Sequence, residues 1–205
     1  MNNSIAEQII KKVEKNDDLA VFGSKDFLEI ASYDTVRRVL NKMAARGDIK
    51  KIMRALYYRP RFSELLQEYE VASPHQVAMA IARKFNWNIA PTGSGALNML
   101  GLSTQVPSKW SYISDGVDKN IKFENISIEF KRRNNREISG MSYKTALVIQ
   151  GLKALGKDNV SKADIDKIRE LLTEKERKEL LAEGKSTLAW IFEIIKKICG
   201  GNADV

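Results

Sequence analysis

Arg37, Arg38, Asn41 and Lys42 lie outside an apolar stripe in the segment running from Tyr33 to Arg46. Val36, Val39, Leu40 and Met43 form that stripe at i, i+3, i+4, i+7 spacing, which is one face of a helix. An apolar back and a basic front suit the major groove of DNA, because arginine forks match guanine edges and phosphate oxygens. Asp34 reads as the N-cap, with Thr35, Arg37 and Arg38 in the first turn and Tyr33 just ahead of it. A basic ribbon follows, Ile49 to Tyr58, and supplies Lys50, Lys51 and Arg54. The candidate DNA-contacting set is therefore Tyr33, Thr35, Arg37, Arg38, Asn41, Lys42, Lys50, Lys51 and Arg54.

Charge placement supports this more than total charge does. Residues 32–62 hold nine Lys/Arg against two Asp/Glu, which puts +7 of the formal net +8 in one window. A concentrated patch attracts polyanions by steering and counterion release. The competing reading is a solvated basic face that binds nothing, and the contiguity of helix and ribbon argues against it.

Other residues carry weaker signals. Asp115 with Glu129 and Lys131 matches the acidic and Glu-x-Lys pattern of metal-dependent nucleases, in which carboxylates hold Mg²⁺ and a lysine assists water. Glu129 and Lys131 would share one strand face. Such a triplet also arises by chance, and Asp115-Gly116 reads better as a hairpin turn. Thr92-Gly93-Ser94-Gly95-Ala96 has the glycines of a phosphate cradle. It lacks the Gly-Lys-Ser/Thr ending of a P-loop and reads better as a tight strand-to-helix turn capped by Thr92 or Ser94. Lys131-Arg132-Arg133 with Arg136 is a second basic cluster, with solvated loop charge as the simpler reading. Trp87, Trp110 and Trp190 read as core, and His75 as a residue near a helix start. One histidine and one cysteine, Cys199, leave no zinc-ligand cluster and no intrachain disulfide. No catalytic residues, metal or cofactor are expected.

The elements that must position these residues follow from caps and periodicity. Ser4 and Glu7 form a capping box for a helix through Lys15, which Asn16-Asp17-Asp18 ends. A short helix is expected over Ser24 to Ala31, the basic helix to Arg46, a stop at Gly47-Asp48, and the ribbon as a hairpin. That order is the one a winged helix-turn-helix requires. Arg59-Pro60-Arg61 punctuates its end, so a DNA-binding domain is expected over residues 1–62 and a mixed α/β domain over residues 63–205. In the second part Ser73-Pro74 opens a helix to about Phe85. Strands are expected at Trp87 to Ala90, Trp110 to Ser114, Ile121 to Phe123 and Ile126 to Lys131, with a small helix from Gly93 to Gly101. From Tyr143 the pattern is a helical tail.

A composition 43% hydrophobic and 29% charged is that of a soluble globular protein. Met1 to Lys15 is no secretory signal, and the apolar run Leu188 to Cys199 is too short and too charged to span a bilayer. A cytoplasmic location without membrane contact is expected.

The segments Asp26-Phe27, Val36-Arg37-Arg38-Val39-Leu40, Gly47-Asp48-Ile49 and Leu56-Tyr57-Tyr58-Arg59-Pro60 resemble the winged helix of AbiE-type antitoxins. These belong to type IV toxin–antitoxin systems linked to abortive phage infection. The run from Pro91 to Pro107 is similar to a signature of uncharacterised prokaryotic proteins grouped with them, and the likeness extends to about Leu155. One departure lies in the wing, where many relatives have glycine and this chain has Ala55. The resemblance implies a winged helix that binds operator DNA and represses its own operon. It also implies a second domain that opposes a nucleotidyltransferase-like toxin without forming a stable complex. Two other readings stand beside it: a metal-dependent nuclease or nucleotide-handling enzyme targeted by the winged helix, and a transcriptional regulator whose C-terminal domain senses a ligand or partner.

Overall fold

Helix α1 (Ile5–Lys15) starts where the sequence places it. Ser4 Oγ accepts from the Glu7 N–H at 3.3 Å, and the Glu7 carboxylate accepts from the Ser4 N–H at 3.0 Å. Asn16 is its C-cap. The computed structural model describes residues 4–16, 20–65, 67–133, 138 and 140–200, so Asp17 and Asp18 of the expected stop lie outside the described residues. Strand β1 (Val21–Phe22) comes next and has no counterpart among the sequence expectations.

The helix expected over Ser24 to Ala31 is a single 3₁₀ turn, Ser24–Phe27, followed by irregular turns. Asp26 folds back to accept from the Gly23 N–H at 2.8 Å, and the Phe27 carbonyl accepts from both Ile30 and Ala31. Phe27 is buried, and Ile30 and Ala31 pack partly against the same core, but the Phe27 carbonyl takes both of their N–H groups and the segment turns without forming an α-helix. Helix α2 (Tyr33–Arg46) follows, with Ser32 as N-cap. It stops at Gly47, whose φ of 86° is the left-handed region that glycine tolerates. Strands β2 (Lys50–Met53) and β3 (Leu56–Tyr58) form the expected hairpin, and β1 adds to β3 to give the antiparallel order β1-β3-β2. Ile9, Val13, Phe22, Phe27, Val36, Leu40, Met43, Ile49 and Tyr57 pack as one core.

Two further pieces complete this unit. Strands β4 (Arg61–Ser63) and β5 (Glu68–Glu70) make a small hairpin, and α3 (Pro74–Phe85) opens on the expected Ser73-Pro74 cap. Arg83 near the end of α3 donates to the Val21 carbonyl at 2.8 Å and sits 3.6 Å from the Asp26 carboxylate. These bonds tie α3 to β1, and the compact unit runs Met1–Asn86. The boundary expected after Phe62 falls inside it.

The second unit, Trp87–Val205, holds a four-stranded sheet and a helical layer. The strands are β6 (Ile89–Pro91), β7 (Lys109–Ser114), β8 (Lys119–Phe123) and β9 (Ile126–Arg132), in the order β6-β7-β9-β8. β7 and β9 run parallel, and the other two pairings are antiparallel. Asp115-Gly116 is therefore not a hairpin turn between neighbours, because β9 lies between β7 and β8. Asp115 instead accepts from the Asn88 N–H and Nδ2 at 2.8 and 2.7 Å. Gly116 lies so close to Trp87 that a Cβ would sit 2.1 Å from the indole. Helices α4 (Gly93–Met99), α5 (Tyr143–Leu155), α6 (Lys162–Leu171), α7 (Glu174–Glu183) and α8 (Ala189–Cys199) follow. Leu100, Leu147, Val148, Leu152, Ile168, Leu180, Ile191 and Ile195 form their shared core. The fold is thus α+β. No helix among the described residues is long and apolar enough to cross a membrane.

Candidate nucleic-acid interface

The stripe and the charges of α2 separate as their periodicity requires. Val36, Leu40 and Met43 are buried, whereas Arg37, Arg38, Asn41, Lys42 and Arg46 are exposed. The N-cap falls two residues earlier than expected, at Ser32 in place of Asp34, so that Tyr33 is the first helical residue. Ser32 holds the N-cap position and donates its hydroxyl to Thr35 Oγ1 at 3.0 Å. Asp34 is consequently inside the first turn, where its charge meets the positive end of the helix dipole. It also meets Arg37 at 3.3 Å, and its carbonyl accepts from Arg38 Nε at 3.4 Å. Thr35 is half-buried and engaged by Ser32, so it offers little outward. An exposed ion pair of this kind holds its arginine weakly, so Arg37 is available to a stronger partner.

Asn41 has a role the sequence does not disclose. Tyr57 donates its hydroxyl to Asn41 Oδ1 at 2.8 Å, joining α2 to β3. Burial, and then the neighbouring Tyr33, push the Tyr57 phenol above its ordinary value, which keeps it protonated and donating. Asn41 Oδ1 is therefore already engaged, which leaves the amide Nδ2 as the group it could offer to a ligand.

On the hairpin, β2 pairs Lys50 with Tyr58 and Lys51 with Tyr57. Paired residues share a sheet face, so the two lysines point to opposite sides. Lys51 is on the side of Tyr57, whose ring packs in the core with Val36, Leu40 and Met43 of α2. Lys50 is on the other side. Both are exposed, but they cannot serve one flat ligand together. Arg54 is exposed in the turn, and the Arg54 carbonyl accepts from Lys84 Nζ of α3. The next residue, Ala55, has φ 63°, a conformation that favours glycine. Lys84 is thus a support for the hairpin tip that no local sequence pattern announces. A groove of about 170 Å³ lies here, bounded by Tyr33, Ala55, Leu56, Asp26 and Lys84.

The other candidates do not assemble. Glu129 pairs with Ser111 across β7–β9, and Asp115 is four residues further along, about 13 Å at about 3.3 Å per residue. That is too far for both carboxylates to hold one Mg²⁺ at about 2.1 Å. Glu129 is instead ion-paired with Lys109 at 2.9 Å and Lys131 at 3.6 Å, and Lys109 first, with help from Lys131, holds its carboxyl below the ordinary range. No group of three metal-ligating side chains occurs among the described residues. Thr92 does not cap α4 with its side chain. Its hydroxyl donates to the Ser111 carbonyl at 3.2 Å, and a Cβ at Gly95 would sit a tight 3.3 Å from the Trp110 ring. Gly95 serves close packing, whereas Gly93 supplies a left-handed backbone with φ 57° at the start of α4. Arg132 and Arg133 are exposed, and Arg136 lies outside the described residues. His75, in the first turn of α3, is half-buried, and burial lowers its imidazole.

Residues 7–180 match the model of a family of unknown function, DUF6088. The chain belongs to this family. The match covers both compact units of this DUF6088 protein, from α1 into α7, and carries no activity with it. No curated protein matches the chain.

Proposed function

We propose that this DUF6088 protein binds double-stranded DNA, with α2 as the reading helix of a winged helix and the β2–β3 hairpin as its wing. The observation that carries the reading is the division of α2. On its apolar side Val36, Leu40 and Met43 are buried and Val39 is half-buried, and Arg37, Arg38, Lys42 and Arg46 stand exposed on the other. The succession of α1, β1, the Ser24–Phe27 turn, α2 and the hairpin is compatible with a winged helix. Lys51 and Arg54 extend the basic surface beyond the helix. Arginines near the start of α2 fit base edges in the major groove, and hairpin cations fit the flanking phosphates. The test is a titration of duplex DNA from the protein's own promoter, followed by fluorescence anisotropy at several salt concentrations. Binding that loosens steeply with salt and prefers promoter DNA supports the reading. Equal, weak binding to any polyanion removes the sequence-reading role of α2.

The wider role we propose is that of an antitoxin that represses its own operon and opposes a nucleotidyltransferase-like toxin. It rests on the resemblance to AbiE-type antitoxins alone. Co-expression with a toxin encoded beside it tests this: restored growth supports the role. Failure of the full-length protein to rescue leaves a DNA-binding regulator.

A further inference from the structure

We infer that the groove beside the β2–β3 tip binds a small aromatic carboxylic acid, and that the bound acid releases the tip from α3. The groove holds about 170 Å³ and lies wholly within the first unit. That volume suits a single ring, since an apolar cavity of about 150 Å³ takes benzene. It is too small for the drug-sized ligands that fill about 300–1,000 Å³. Leu56 and Ala80 are buried at its floor. Tyr33 and Phe85 stand at its rim, 44% and 39% exposed. Two exposed aromatic rings beside an aliphatic floor suit a flat apolar body that covers them.

Charge selects the acid. Lys25, Arg83 and Lys84 line the groove against a single carboxylate, Asp26. Asp26 is already committed, because it accepts from the Gly23 N–H at 2.8 Å and lies 3.6 Å from Arg83. The two lysines therefore leave the groove with an excess of positive charge. Lys84 also joins the groove to the wing. Its ammonium donates to the Arg54 carbonyl and lies 5.2 Å from the centre of the Phe85 ring. A carboxylate is a stronger acceptor for an ammonium than a neutral carbonyl is, so the acid draws Lys84 away from Arg54. The tip is itself a wall of the groove: Ala55 lines it, and a Cβ on Gly23 would sit 2.7 Å from the Ala55 carbonyl. Ala55 holds φ 63° at a cost, so losing the neighbouring Lys84 bond loosens Arg54 and the tip. The binding half of the inference stands on the groove alone. The regulatory half rests on the DNA-binding reading, in which Arg54 belongs to the wing.

Benzoate is the probe, titrated into the full-length protein and followed by amide NMR shifts. Saturable shifts are expected at Gly23, Tyr33, Ala55 and Lys84, with a Kd on the order of 1 mM, as suits a ligand of so few atoms. Benzamide, of the same shape without the charge, should bind at least tenfold more weakly. Lys84→Gln should weaken benzoate at least fivefold and leave benzamide nearly unchanged, a contrast that a collapsed groove would not give. Saturating benzoate should loosen the wild-type complex with promoter DNA at least threefold, with ionic strength held constant because salt alone weakens phosphate contacts. The absence of saturable shifts around the groove overturns the site. Equal affinity for benzoate and benzamide overturns its selection of an acid. Benzoate that binds but leaves DNA affinity unchanged overturns the release of the tip. A protein that takes benzoate but no DNA sinks the DNA reading, and with it the regulatory half, while the groove stands.

Discussion

Arg37 and Arg38 are neighbours in sequence but not in situation. Arg37 shares Asp34 at 3.3 Å, while Arg38 touches only the Asp34 carbonyl at a long 3.4 Å. Both are free to reorient toward a base, because exposed pairs of this kind are worth about 0–1 kcal/mol. Arg37→Ala or Arg38→Ala should weaken promoter binding by about 1–3 kcal/mol and relax preference at one position. Undiminished affinity in both would show that this side of α2 does not face the groove. On the hairpin the two lysines should differ. Lys51→Ala, on the α2 side, should lower the slope of log affinity against log salt by about 0.9, and Lys50→Ala should change it less. His75 allows a pH test, since it is the single histidine and gives one imidazole resonance. Burial disfavours its charged form, so the NMR midpoint should fall below the ordinary value of about 6.5. The sign for stability follows. Below that ordinary value the unfolded chain takes up the proton first, so this contribution is present above it and is lost as pH falls through the folded midpoint. A midpoint at or above the ordinary value would mean that a neighbouring acid outweighs burial.

Among the elements, α1, α2 and α3 announce themselves by cap and stripe, and the β2–β3 hairpin by its short alternating run. Their boundaries shift where a backbone bond decides: the Ser32 carbonyl accepts from the Val36 N–H at 2.9 Å and starts α2, which leaves Asp34 inside the helix. The hairpin tip is the strained piece. A left-handed alanine costs about 1–2 kcal/mol, and a glycine there would give back about 0.4–1 kcal/mol in unfolded-state entropy. Ala55→Gly should therefore raise stability by about 0.5–1 kcal/mol, read as a higher urea midpoint at unchanged slope. The glycine that the family resemblance expects at this position is what the backbone favours. A lower midpoint would mean that Ala55 adopts another conformation in solution.

For the molecule as a whole, the division at Asn86 alters how it should be cut. A fragment of residues 1–62 contains every candidate DNA contact but lacks α3. It loses the Arg83 bonds to Val21 and Asp26 and the Lys84 bond to the Arg54 carbonyl. Residues 1–86 should melt cooperatively and bind promoter DNA. Residues 1–62 should melt lower, with faster amide exchange at β1 and the hairpin tip. Equal melts for the two fragments would show that α3 is a passenger and not a support.

The sequence by itself determined what nearest neighbours decide. Caps such as Ser4 and Ser73, the buried stripe of Val36, Leu40 and Met43, and the charge window around them depend on residues within one or two turns. Tertiary structure decided what depends on partners far along the chain. The parallel pairing of β7 with β9 turned an apparent hairpin turn at Asp115 into a contact with Asn88, and set Asp115 and Glu129 far apart. Tyr57 engaged Asn41 across 16 positions, and Arg83 engaged Val21 across 62. Periodicity reports that a face exists; only packing chooses what it turns toward.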